Sequence, residues 1–108
     1  MRLLFLGDVM GRSGRGAIAA RLPALRQELG VEFCVVNGEN ATSGAGLSPD
    51  HARELLASGA DALTLGDHAF DQKDMLRFCE EEPRIVRPLN FSKAAPGRGV
   101  RVFETVRG

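Results

Sequence analysis

Acidic side chains and one histidine follow three short apolar runs of the sequence, each time beside a glycine. Gly7-Asp8 follows the first run, Gly38-Glu39-Asn40 the second, and Gly66-Asp67-His68 the third. Carboxylate and amide oxygens together with an imidazole are ligands that suit divalent cations. Carboxylates gathered at one place repel each other unless a cation neutralises them. The pattern therefore predicts a divalent metal site, with one ion or two.

Each of these groups also has an ordinary structural interpretation. A single Asp after a strand is commonly a helix cap or a turn residue, and a single histidine commonly completes a local hydrogen bond. In an open α/β sheet, however, ligands bind outside the carboxyl ends of the strands. Because all three groups stand at predicted strand ends, their joint occurrence favours the metal site over three unrelated turns.

A glycine-rich stretch over residues 11–16 offers a second kind of site. It follows the first run and begins a helix, as in dinucleotide-binding folds, and Glu39 stands where a ribose-binding acid would. The glycines are spaced GxxGxG rather than GxGxxG, so a nucleotide-binding α/β module is the weaker alternative. The stretch is better suited to hold a substrate phosphate beside Arg12 or Arg15, or to be a solvated loop. Asn90, after the fourth run, is a further candidate substrate contact, or a turn residue.

Short apolar runs predict the strands that position these residues. Four runs bounded by glycine, proline or polar residues predict buried strands of a parallel sheet. They are residues 3–6, 33–37, 62–66 and 84–87. Residues 100–103 alternate in polarity and predict an edge strand.

Helical periodicity fills the gaps between the runs. An apolar stripe at Ile18, Leu22, Leu25 and Leu29 predicts the first helix, ending at Gly30. Pro23 within the stripe predicts a kink or the start of a second helical segment.

Caps and prolines mark two further helices. Ser48-Pro49 predicts the start of the second helix, in whose first turn we expect His51 at the surface. Asp71 is the predicted cap of the third helix, which ends before Pro83. The resulting order, β-α-β-α-β-α-β, predicts an α/β fold: a mostly parallel sheet flanked by helices.

Composition limits the classes of partner. The 108 residues carry 14 basic and 14 acidic side chains, and 44% of them are hydrophobic. Zero net charge and a lack of Trp and Tyr argue against a stable nucleic-acid complex. No apolar stretch approaches the length of a membrane span. Cys34 and Cys79 lie in apolar contexts without CxxC spacing, which predicts reduced core thiols in a cytoplasmic protein.

Four motifs, in order, resemble the YmdB-like branch of the calcineurin-like metallophosphoesterases. They are LFLGDVMGRSGR, VVNGENATSGAGL, LTLGDHAFDQ and RPLNF, and the match extends over essentially the whole chain. The resemblance implies half of an α-β-β-α sandwich. It also implies two metal ions, commonly iron or manganese, and phosphodiester hydrolysis, with 2′,3′-cyclic nucleotides as the characteristic substrates.

The resemblance also implies roles for individual residues. Asp8 and Asn40 would bind the first metal, Glu39 would bridge both metals, and Asp67 would bind the second. His68 would donate a proton. The family usually has Asn where this chain has Asp67, and the added negative charge alters metal preference and the acidity of a bound water.

Length is the second departure from the family pattern. Family chains are more than twice as long and take further histidine ligands from their second half, whereas this chain has only His51 and His68. Residues 1–108 are thus predicted to be the N-terminal portion of a single domain whose C-terminal half is absent. The competing hypothesis is a non-catalytic metal-binding or assembly fragment. Either way, we expect a homo-oligomer or pairing with the missing half.

Overall fold

A four-stranded parallel sheet is the frame of the molecule, in a computed structural model that describes residues 1–105. The strands stand side by side in chain order, and Leu3 pairs with Phe33, Val36 with Leu63, and Leu63 with Ile85. The strands are β1 (Leu3–Leu6), β2 (Phe33–Asn37), β3 (Ala62–Thr64) and β4 (Ile85–Val86). All carboxyl ends therefore meet at one edge of the sheet, and the predicted α/β class is confirmed.

Three helices alternate with these strands in residues 1–105. They are α1 (Gly11–Leu29), α2 (Pro49–Ala57) and α3 (Met75–Glu81). α1 is one helix through Pro23, so the prediction of a second helical segment is wrong. Pro23 is exposed, while the adjacent Leu22 is 1% exposed, and packing of that inner face compensates for the missing backbone donor. Gly30 ends α1 in the left-handed conformation, as predicted.

The predicted cap of α2 is confirmed, whereas the predicted cap of α3 is wrong. The Ser48 hydroxyl accepts a hydrogen bond from the His51 N–H at 3.2 Å, with Pro49 at the first helical position. The predicted Asp71 cap is wrong, since α3 begins three residues later, after Asp74. The Asp71 carboxylate instead faces the ring of His68.

The core lies on one face of the sheet. Alternate strand residues pack with all three helices into one cluster that includes Leu22, Val36, Leu55, Leu63 and Met75. On the opposite face of β1, Leu3 and Phe5 are 65% and 62% exposed. The prediction that this strand is buried on both faces is therefore wrong. Residues 1–105 therefore leave an apolar face of the sheet uncovered at β1.

The predicted edge strand at residues 100–103 does not form. Val102 is 94% exposed, and only the ring of Phe103 returns to the sheet, 5.2 Å from the ring of Phe33. Among residues 1–105, no helix has the length and apolar character that crossing a membrane requires.

Both cysteines are free and buried, as predicted. Burial raises the pKa of the Cys34 and Cys79 thiols above its ordinary value, because the thiolate loses solvation. They are core residues, and neither has the exposed, electropositive setting of a reactive thiol.

Candidate functional site

The turn after β1 places Asp8 beside the loop after β2. Asp8 adopts a left-handed backbone with φ 51°, a conformation that Asp tolerates better than most residues. Its Oδ1 accepts a hydrogen bond from Asn40 Nδ2 at 3.1 Å. A carboxylate and an amide from two neighbouring strand ends thus meet at the sheet edge. The free oxygens of both side chains remain available to a ligand.

The backbone of Asn40 connects the same two loops. Its carbonyl oxygen accepts hydrogen bonds from the N–H groups of Gly11, at the start of α1, and of Gly44, both at 3.0 Å. Gly11 and Gly44 have φ values of 54° and 75°, which is why glycine suits these positions. Asn40 is therefore held by its side chain and its main chain together.

Glu39 reaches across to the end of β3. Both of its carboxylate oxygens lie where a Cβ on Gly66 would have to be, so any larger residue at position 66 would displace the carboxylate. The φ of Gly66 is not in the left-handed region, so glycine is needed here for space. The carboxylate of Glu39 thus lies against the backbone that leads directly into Asp67 and His68.

His68 is paired with Asp71 on the segment that follows β3. His68 Nδ1 lies 2.7 Å from Asp71 Oδ2, and the two side chains are 51% and 40% exposed. An ionised carboxylate can only accept, so Nδ1 carries the proton and Nε2 is the ring nitrogen left for a substrate. The sequence reasoning missed this partner, although the His-x-x-Asp spacing was a visible signal. Asp67 is exposed and forms no side-chain hydrogen bond within the described residues.

The loop over residues 41–47 is fastened to the segment that carries His68. Gln72 Nε2 donates to the carbonyl oxygen of Ala45 at 2.7 Å. A Cβ on Gly46 would lie 3.0 Å from the carbonyl oxygen of His68, and Gly46 itself has φ 85°. Two loops from different strand ends therefore pack closely, which steadies the backbone around His68.

His51 supports the same loop from α2. Its Nδ1 lies 2.7 Å from the Thr42 hydroxyl, which also accepts the Ser48 N–H at 2.8 Å. The expectation that His51 lies at the surface is wrong, because its side chain is half-buried and hydrogen-bonded to the loop. His51 is thus a structural residue of the loop.

The three proposed substrate contacts differ in their surroundings. Arg15 Nη1 donates to the Ala41 carbonyl at 2.6 Å, and its Nε lies 3.8 Å from Glu54, so this arginine braces the loop. Arg12 is exposed on the first turn of α1 and forms no ion pair within the described residues. Asn90 is exposed too, and its neighbour Phe91 packs 5.9 Å from the ring of Phe70, two residues after His68.

The donor set supplies part of a metal site. Among residues 1–105, no three His, Cys, Asp or Glu side chains are close enough to form a complete binding group by themselves. What they do form is the Asp8–Asn40 pair and the Glu39 carboxylate seated on Gly66, at adjoining strand ends. These are oxygen donors, which suit hard divalent cations. The residues fit such an ion provided that water or further protein groups complete its shell.

Comparisons with known proteins identify the family of the chain. Residues 4–108 match the profile of the family described as "YmdB-like protein". A protein of Bacillus subtilis named 2′,3′-cyclic-nucleotide 2′-phosphodiesterase is 42% identical over 93% of this chain and 38% of its own length. A putative phosphatase/phosphodiesterase of Mycoplasma genitalium is 36% identical over 95% of this chain. The chain therefore spans well under half the length of the curated relatives it matches.

Solved structures show the same backbone. A hypothetical protein from Thermus thermophilus superposes with a TM-score of 0.89 at 39% identity, over 96% of this chain and 40% of that one. A novel phosphatase from Mycoplasma pneumoniae superposes with a TM-score of 0.87 at 38% identity, over 94% of this chain and 38% of that one. The four-stranded parallel sheet with its three helices is thus the fold of a corresponding part of each of these larger proteins.

Proposed function

Because the chain belongs to the YmdB-like protein family, we propose that it carries the first part of a metal-dependent phosphodiesterase site that acts on 2′,3′-cyclic nucleotides. The observation that carries the proposal is the meeting of Asp8, Asn40 and Glu39 at one sheet edge, next to a histidine held by a carboxylate. The name of the Bacillus subtilis relative supports the substrate class.

The proposed ligands are oxygen donors from three strand ends. Asp8 and Asn40 would hold one divalent ion, Glu39 would reach both ions, and Asp67 would hold the second; iron and manganese are the expected metals. Two bound cations would supply an acidified water and charge neutralisation at the phosphate. Arg12 and Asn90 are exposed near this edge and would contact the substrate.

His68 has the geometry of a proton donor. Because Nδ1 donates to Asp71, Nε2 is the nitrogen that can give a proton to a leaving oxygen, and it does so from a ring that is protonated on both nitrogens. In opening a 2′,3′-cyclic phosphate, water adds to phosphorus and releases a proton to the solvent, the P–O2′ bond breaks, and O2′ takes the proton from Nε2. The solvent returns a proton to Nε2 before the next turnover. Asp71 then stabilises the orientation of the ring throughout the cycle.

The test uses a hybrid protein in which this chain is joined to the remaining part of the Bacillus subtilis relative. With Mn²⁺ or Fe²⁺ the hybrid should hydrolyse 2′,3′-cyclic AMP, whereas this chain alone should be feeble. His68→Ala in the hybrid should lower turnover of the cyclic nucleotide by about 10²–10⁴-fold, as loss of a general acid does. A correctly folded, metal-loaded hybrid without turnover would contradict the proposal.

The uncovered sheet face is the basis of a second proposal, that this chain associates. Leu3 and Phe5 are exposed on β1, one of the two edge strands of the sheet, and such apolar surface is normally covered in a parallel sheet. Self-association or pairing with the rest of a longer relative would cover it. In light scattering, Phe5→Ser should lower the association of this chain, whereas Leu76→Ser, at a 40% exposed site on α3, should not. A monomeric parent chain would refute the idea.

A further inference from the structure

A cleft of about 800 Å³ lies between the end of α3 and the segment that follows β4. Its volume is in the range of small-ligand sites, roughly 300–1,000 Å³. It contains none of the residues assigned above to metal or substrate. Four cationic side chains line it: Arg87, Lys93, Arg98 and Arg101. Among the described residues, only two acidic side chains, Glu80 and Glu81, line it as well, so these walls carry a net positive charge at neutral pH.

Arg87 is the anchor of this cleft. It is 8% exposed, which is rare for an arginine without a carboxylate partner. Its Nε donates to the Pro96 carbonyl at 3.1 Å and its Nη1 to the Pro88 carbonyl at 2.8 Å. Neutral carbonyl oxygens orient a guanidinium but do not balance its charge. Within residues 1–105 it forms no ion pair, so a buried positive charge is left for an anion to neutralise.

A second arginine in the cleft has an unused donor. Arg101 Nε is buried and has no hydrogen-bond partner within the described residues. Hydrogen bonds from the Arg84 side chain are the main cause that lowers the pKa of Glu82, and the positive charge of Arg101 contributes least. A buried polar group without a partner costs free energy, which a ligand can recover. Arg87 therefore has a charge, and Arg101 a hydrogen-bond donor, that the same ligand could satisfy.

The loop over residues 94–99 holds Arg87 in place. The backbone N–H of Arg87 donates to the carbonyl oxygen of Arg98 at 2.9 Å. A Cβ on Gly99 would lie 2.7 Å from Leu89 Cα and 3.2 Å from Arg87 Nη1, so the loop can approach only with glycine there. The guanidinium is thus fixed before any ligand arrives, and pre-organisation of this kind favours binding.

From this geometry we infer that the cleft binds the phosphate group of a small phosphorylated molecule. Guanidinium groups pair with phosphate oxygens through charge-assisted hydrogen bonds, which are stronger than neutral ones. Lys93 and Arg98 are exposed at the cleft and would contact the same group from outside. The site is separate from the metal site proposed above, since it needs no metal and none of the carboxylates at the sheet edge.

The test is isothermal titration of this chain with inorganic phosphate, pyrophosphate and AMP in buffer containing EDTA, so that no metal contributes. We expect saturable binding, and a matching change in the NMR signal of Arg87 Nε. The double variant K93Q/R98Q should lower the affinity for these ligands by roughly tenfold, the size expected for lost charged hydrogen bonds. The matched control is K73Q/R21Q, which removes the same charge at exposed positions outside the cleft and should leave affinity within about twofold.

The outcomes are distinct. Tight binding of AMP or pyrophosphate but not of free phosphate identifies an organic or polyphosphate ligand, whereas equal affinity for all three identifies the phosphate group itself as sufficient. Equal loss in both double variants would mean general charge attraction and would overturn the site, as would no saturable binding by the parent chain. Should K93Q/R98Q fail to fold by circular dichroism, R101Q, which removes the unused donor and one charge, is compared with the single variant R21Q instead.

Discussion

His68 Nδ1 and Asp71 Oδ2 lie 2.7 Å apart across a single turn of chain, in the segment between β3 and α3. Asp71 therefore does not cap α3. It fixes which nitrogen of the imidazole carries the proton and which way the ring faces, and it leaves Nε2 for chemistry. The pair is only half-exposed, and the segment that carries it is fastened to the neighbouring loop through Gln72 and Ala45.

Asp71→Asn should lower turnover of the hybrid protein on 2′,3′-cyclic AMP by about 10–100-fold, the usual effect of removing a partner that orients a reacting group. KM should change little, because Asp71 does not contact the substrate in this arrangement. Turnover of a nitrophenyl diester should change least, since its leaving group needs no proton. Equal losses on both substrates would show that the pair does not serve proton transfer. Nitrogen NMR of His68 reports the tautomer independently of activity.

Gly66→Ala should weaken metal binding strongly while it changes the stability of the fold little. The new Cβ overlaps the carboxylate of Glu39, which is the flexible end of a side chain and can move away cheaply. We expect the free energy of unfolding to fall by less than about 1 kcal/mol, while Mn²⁺ affinity measured by titration drops by roughly 10–100-fold. Gly16→Ala is the control, because nothing lies within 4 Å of that position. Unchanged metal affinity in Gly66→Ala would exclude Glu39 as a ligand.

Glu82→Gln should make the free energy of unfolding less sensitive to a fall in pH. Hydrogen bonds from the Arg84 side chain lower the pKa of Glu82 from the model-compound value of 4.5, so the folded state binds the proton less readily than the unfolded state. The pair is thus stabilising above that value, and its contribution disappears as the pH falls through the lowered pKa.

Urea unfolding measures this effect. At pH 7, Glu82→Gln should lower the free energy of unfolding by at most about 1 kcal/mol, because Arg84 is half-exposed. This difference from the parent chain should vanish at strongly acidic pH. Glu81→Gln breaks an ion pair with Arg77 that is largely exposed and should cost almost nothing. A loss that persists unchanged into acid would mean that packing, not charge, explains the role of Glu82.

Thiol accessibility provides a fourth prediction. Cys34 and Cys79 are buried, and burial raises the pKa of both thiols, so few thiolates are available at neutral pH. Alkylation of the native chain by iodoacetamide should therefore be far slower than in urea. Rapid reaction of either thiol in the native chain would mean that this part of the core opens readily.

Much of the fold was predictable from local pattern, because strand ends and helix stripes are properties of a few neighbouring residues. Gly7, Gly38 and Gly66 marked the ends of three strands, and Ser48 marked the start of α2. The contact of Glu39 with Gly66 was not predictable, since it joins residues that are neighbours only after β2 and β3 pair. Periodicity at residues 100–103 misled for a related reason: a strand needs a partner strand, and within residues 1–105 this segment pairs with neither of the two edge strands, β1 and β4.

The agreement between sheet order and chain order has a consequence for how the protein is made. Each strand pairs with the one synthesised just before it, so no strand needs to be inserted between two others already in place. The sheet can therefore grow outward from β1 as the chain leaves the ribosome. All four candidate metal ligands and His68 lie within the first 68 residues, and the Asp8–Asn40 and Glu39–Gly66 contacts need only β1 to β3. This edge of the sheet can be in place while later residues are still being translated.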